Sequence, residues 1–118
     1  MAHALMLSFS SPASPAQEER YNLWYFRHIR EVMAAVPGII GARRYKLEKG
    51  VTSGGRSSAH PCSYVCIYEL DAENPQQMQT ISDAISSALS EGKIDIDPAL
   101  DRSSLQSSFA LPVISVQE

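Results

Sequence analysis

The chain has 118 residues, 44% of them apolar and 19% charged, with 10 basic against 13 acidic side chains and a formal net charge of -3. That length and apolar content predict one globular domain over residues 1–118 and exclude a wholly disordered chain. A pI near 5.6 leaves no electrostatic footprint for a nucleic-acid backbone, and no apolar run approaches the roughly 18 to 20 residues that cross a bilayer. The segment opening Met1, Ala2, His3 lacks the basic start of a secretory signal. The expected setting is the cytoplasm, with neither nucleic acid nor membrane as partner.

The elements follow in chain order. Residues 3–9 are short, apolar and stopped by a Ser/Pro cluster, so they read as a strand. Ser14, Pro15 and Gln17 form a helix start, with serine at the N-cap, proline at the first position and glutamine where a capping box places it. From there Tyr21, Trp24, Tyr25, Ile29, Val32, Met33 and Val36 recur every three or four residues, an amphipathic helix of about six turns that Pro37 and Gly38 end. Residues 39–48 read as a second strand containing Arg43 and Arg44. The Gly/Ser-rich residues 48–61 read as a long surface loop, with 50–59 the most mobile part and Arg56 the expected first tryptic site.

Residues 62–70 read as the third strand. Asn74, Pro75 and Gln77 repeat the helix start, and Met78, Ile81, Ile85, Ala88 and Leu89 form the stripe of a second helix closed by Gly92. Residues 93–106 look irregular, with a turn near Pro98, and 107–116 read as a fourth strand in which Pro112 argues for an edge or a bulge. The two cysteines, Cys62 and Cys66, lie four strand residues apart. That separation is roughly 13 Å, too far for a disulfide, and no His or Cys at finger spacing completes a zinc site. Both are expected to pack as small hydrophobes.

The order β-α-β-β-α-β predicts an α+β, ferredoxin-like fold: a four-stranded antiparallel sheet with two helices on one face. Leu5, Leu7 and Phe9 alternate with Ala4 and Met6, and Val65 and Ile67 with Tyr64, Cys66 and Tyr68. Neither sheet face is patterned for water, which predicts a two-fold homodimer closed sheet to sheet, with Tyr64 and Tyr68 packed in its interface.

One segment carries a resemblance. Trp24-Tyr25, then His28 on the same helix, the Val36-Pro37-Gly38 turn and Ala42-Arg43-Arg44-Tyr45 resemble the EthD-like branch of the dimeric α+β barrel superfamily. The resemblance implies a dimeric α+β barrel with a small apolar cleft between sheet and helices, and His28 pointing into it. It does not imply one reaction, because the superfamily includes cofactor-free monooxygenases, polyketide cyclases, lactone isomerases and haem-degrading enzymes. Haem is not expected here, since an Asn-Trp-His set is distributed differently over the fold in the haem-degrading members.

The residues themselves admit two readings of His28, an acid/base site or a core-edge histidine with a satisfied hydrogen bond. Trp24 and His28 are four apart and share a helix face, flanked by Tyr21 and Tyr25. An imidazole among aromatic rings is partly desolvated, which lowers its pKa and favours the neutral base near pH 7. His28 is therefore the candidate catalytic residue, and Trp24, Tyr25, Arg44, Tyr45 and Tyr64 the candidate substrate contacts. Arg43 and Arg44 must point to opposite faces, so one of them is free to clamp an oxyanion. Asn22 need not share the face of Trp24, and His3 and His60 are expected to be solvated. Ser53-Gly54-Gly55-Arg56 lacks the Lys-Ser/Thr of a phosphate loop. The expected function is that of a small-molecule enzyme without a tightly bound cofactor, acting on an aromatic or polyketide-like compound. The alternative is a non-catalytic ligand-binding or accessory homodimer.

Overall fold

The computed structural model describes residues 3–51, 53–55, 59–114 and 116. The elements are β1 (Ala4–Ser10), α1 (Glu18–Ala35), β2 (Ile39–Lys46), β3 (Tyr64–Leu70), α2 (Pro75–Ser90) and β4 (Gln106–Ala110). The strands form one antiparallel sheet in the order β2-β3-β1-β4, with both helices over one face. This is the ferredoxin-like arrangement expected from the element order.

The two helix starts behave differently. Asn74 caps α2, accepting from the Gln77 N–H at 2.9 Å, while the Gln77 side chain accepts from the Glu73 N–H at 2.6 Å. Ser14 makes no side-chain cap; Pro15–Gln17 is a turn of 3-10 helix, and the α-helix begins only at Glu18. The Gln17 N–H is already taken at 3.0 Å by the Ser14 carbonyl, which closes the tighter turn and leaves no donor for a capping box.

Register decides which side chains the helices cover. Ala4, Leu70 and Ile39 form one row on the covered face. Met6, Tyr68 and Ala42 form the next, joined by Phe109, and Ser8, Cys66 and Arg44 the third, joined by Ser107. Ser10, Tyr64 and Lys46 form the last. The open face carries the rows Leu5–Glu69–Gly41, Leu7–Ile67–Arg43 and Phe9–Val65–Tyr45. Tyr64 and Tyr68 are thus buried beneath the helices and not in a sheet-to-sheet interface, which corrects the expectation for both: the period of two puts them on the face of Cys66. Arg43 and Arg44 diverge as the same period requires.

Three further expectations change in detail. β3 starts at Tyr64, so Cys62 precedes it; both thiols are free and buried, and burial pushes the Cys66 thiol up to about 11. β4 is an edge strand that stops at Ala110, before Pro112, because proline has no N–H to offer a ladder. His60 is not solvated but stacks on Phe9, ring centroids 4.3 Å apart, and accepts from the Cys62 N–H at 3.0 Å. Thr52 and Arg56, Ser57 and Ser58, where mobility and tryptic cleavage are expected, lie outside the described residues.

Gly38 turns the chain from α1 into β2 with a φ of +97°, and a Cβ there would stand 2.9 Å from Ile81 Cδ1. Gly38→Ala is therefore expected to cost about 2 kcal/mol, from the left-handed backbone and the crowding together. A urea titration reads this as a lowered midpoint; an unchanged midpoint would show that the turn relaxes freely.

Candidate functional site

α1, α2, the covered face of the sheet and the irregular segment 93–105 enclose a cleft of about 160 Å³. α1 contributes Trp24, Tyr25, His28 and Val32, and α2 contributes Ser82, Ile85, Ser86 and Leu89. The floor is made by Met6, Ser8, Tyr68, Ser107 and Phe109, and the far wall by Ile94, Ile96, Leu100 and Leu105. The irregular segment is held to α1 by Arg27, 3.3 Å from Asp95, and by Arg20, 3.1 Å from Asp97. Backbone bonds from Ala13 N–H to the Ala99 carbonyl and from Asp101 N–H to the Ser11 carbonyl hold its other end. A stretch without regular structure thus forms a wall of the cleft.

His28 sits among aromatic rings as the helical spacing predicts. Its imidazole stacks on Trp24 at 4.5 Å and 27°, and meets Tyr25 edge-on at 5.7 Å and 90°. Burial pushes its pKa down to about 4, against the weaker opposing pull of Asp95 and Glu31, so the ring is neutral at pH 7. His28 Nδ1 and Trp24 Nε1 are both buried and have no hydrogen-bond partner among the described residues. Burial raises the Tyr25 and Tyr68 phenols well above their ordinary values, so both hydroxyls keep their protons. Among the described residues no three His, Cys, Asp or Glu side chains gather as a metal ion would require.

The other expected contacts lie elsewhere. Tyr45 is 48% exposed on the open face, in the row of Phe9 and Val65. Arg44 and Tyr64 are on the covered face but behind Tyr25, and neither lines the cleft. The Arg44 guanidinium lies over three tyrosine rings, 4.1 Å from Tyr25, 4.8 Å from Tyr64 and 5.2 Å from Tyr21. Its Nη1 donates to Asn22 Oδ1 at 2.9 Å. Asn22 in turn donates to the Tyr64 hydroxyl at 3.3 Å, which bonds the Glu18 carboxylate. Asn22 does leave the Trp24 face, and what it meets is this cation-π cage. The cage fixes the back of Tyr25 while the front of the ring faces the cleft.

Sequence reasoning assigned Tyr68 to the dimer interface in preference to the site, although its parity with Met6 across β1 and β3 is the signal that places it in the cleft. The contributions of Ile94 and Ile96 carried no periodic signal.

A scan against family models matches none, and no curated protein matches the chain significantly. Among solved structures, an EthD-like protein from Ralstonia eutropha JMP134 is similar over 98% of this chain and 97% of its own, with a TM-score of 0.58 and 12% identity. The chain shares the fold of that protein. The EthD-like resemblance of the Trp24–Tyr45 region thus agrees with the architecture of the whole chain, and at this identity the likeness is one of fold. Among the described residues no helix is long and apolar enough to cross a membrane.

Proposed function

We propose that this chain is an EthD-like, single-domain, cytoplasmic, small-molecule enzyme that holds an aromatic or polyketide-like compound in the cleft and moves a proton with His28, without a tightly bound cofactor. One observation carries the reading: a neutral imidazole with a free Nδ1 is buried in an apolar cleft, held in place by Trp24 and Tyr25. Buried polar atoms are paired in the great majority of cases, so an unpaired one on a residue that lines a cleft supports a place for a ligand atom there. Trp24 and Tyr25 shape the cleft; Arg44 and Tyr64 support Tyr25 from behind. Native mass spectrometry of the protein with a small-molecule extract is the direct test. A retained compound, lost in Ile85→Trp, is expected; retention of nothing, or retention that survives the filled cleft, would refute the reading.

A second reading, a non-catalytic accessory protein, is favoured by one feature. Among the described residues, no carboxylate lines the cleft beside His28 to share its proton. Turnover separates the two.

Either reading is proposed for a homodimer closed by the open sheet face. Leu5, Leu7, Phe9 and Ile67 are only half-buried there, and covering such side chains contributes about 1 to 2 kcal/mol each. Sedimentation at micromolar concentration is expected to give about twice the 12.9 kDa chain mass, and Ile67→Glu to give the monomer. A wild-type monomer would remove the dimer.

A further inference from the structure

We infer that the cleft selects an uncharged, single-ring compound carrying one hydrogen-bond-accepting oxygen, and rejects carboxylates and fused-ring compounds. The inference rests on the cleft being a ligand site and deepens that reading by naming what fits.

Size comes first. Apolar cavities of about 150 Å³ admit one benzene ring, and this cleft has about 160 Å³. One ring with a short substituent fills it; a second fused ring must project through the mouth into solvent or displace the wall, and loses contacts either way.

Charge comes second. Among the described residues no Arg, Lys, Asp or Glu lines the cleft. The Arg44 guanidinium does not line the cleft and lies against Tyr25, 4.1 Å from that ring. Arg27, next to His28 in α1, is engaged by Glu31 at 3.0 Å and Asp95 at 3.3 Å. A carboxylate entering here would lose its water without gaining a cation, the most costly form of burial.

Polarity comes third. Trp24 is 4% and His28 8% exposed, and each has a buried nitrogen without a partner among the described residues. An indole N–H can only donate, so its partner must accept. Of the other polar groups lining the cleft, Ser8 and Ser107 bond each other at 3.2 Å and the Tyr68 phenol is engaged with Cys66, while Ser82 and Ser86 stand on the α2 side. The ligand group that completes Trp24 is a carbonyl or hydroxyl oxygen, which reaches the buried N–H by a small shift of the side chains around it.

Three probes of matched shape and one larger one test each part on the intact protein: acetophenone, ethylbenzene and benzoate, with acetylnaphthalene as the fused-ring case. Trp24 is the chain's one tryptophan, so a proton–nitrogen correlation spectrum shows a single indole signal that reports on the site. Acetophenone is expected to bind saturably and move that signal downfield, the mark of a new hydrogen bond. Benzoate and acetylnaphthalene are expected to bind at least about tenfold more weakly, and ethylbenzene to bind more weakly than acetophenone without the downfield shift. Benzoate or acetylnaphthalene binding as tightly as acetophenone would overturn the inference and leave the cleft a ligand site of another class. Ethylbenzene matching acetophenone would overturn the oxygen requirement. No perturbation by any of the four would remove the ligand-site reading itself, and the inference with it.

Discussion

Replacing His28 by alanine is expected to lower turnover of the cleft's substrate by about 10²- to 10⁴-fold, the usual contribution of a positioned acid/base group, while the protein stays folded. The truncation also removes a ring stacked on Trp24, so His28→Gln serves as the second variant; it keeps most of the volume and a hydrogen-bonding group but cannot carry the proton. Both variants are expected to lose turnover while retaining the near-UV dichroism of the wild type. The pH profile separates chemistry from packing. A base with a pKa of about 4 is fully available across neutrality, so kcat/KM is expected to be flat from pH 6 to 8 and to fall only as pH approaches 4. Such a base is weak, which suits it to protons already acidified by a neighbouring carbonyl. Normal turnover in a folded His28→Gln protein would assign His28 to packing alone and leave the accessory reading in place.

Acid is expected to destabilise the fold through the same residue. The unfolded imidazole titrates near 6.5 and the folded one at about 4, with burial as the main cause. Above pH 6.5 neither state carries the proton and the contribution to stability is fully present. Between the two values the unfolded chain binds a proton that the folded chain does not, so stability falls by about 1.4 kcal/mol per pH unit. Between pH 7.5 and 4.5 the loss is roughly 2 to 3 kcal/mol, a large share of the total stability of a small domain. Glu18 and Asp97, whose carboxyls are held below their ordinary range by Tyr64 and by the Ala99 N–H respectively, add losses of the same sign at lower pH. His28→Phe keeps a ring against Trp24 and cannot titrate. Urea titrations at the two pH values are expected to show the wild type losing those 2 to 3 kcal/mol beyond the loss of the variant. Equal losses would mean that the ring is hydrated in the folded state.

Much of this architecture was legible in the chain because local rules agree with the fold. The spacing of Tyr21, Trp24, Tyr25, His28 and Val32 places one apolar face on α1, and Asn74 with Gln77 marks the start of α2 by satisfying N–H groups that any helix leaves open. The alternation along β1 and β3 separates two faces without reference to the rest of the protein. The placement of His28 against Trp24 follows from a helix alone, since residues four apart meet on its surface.

What alternation cannot say is which face meets the helices. Tyr64 and Tyr68 are compatible with either side until the chain closes, and only the crossing of α1 and α2 over the row of Met6, Tyr68 and Ala42 put them inside. The same holds for Arg44: its neighbour Arg43 is equally basic, and it is the packing of Tyr21, Tyr25 and Tyr64 around one guanidinium that turned it into a support behind the cleft. Ile94 and Ile96 make the last case. They lie in a segment with no period of its own, so their burial comes from long-range contacts to Ser11, Ala13, Arg20 and Arg27, far away in sequence, and those contacts exist only in the folded molecule.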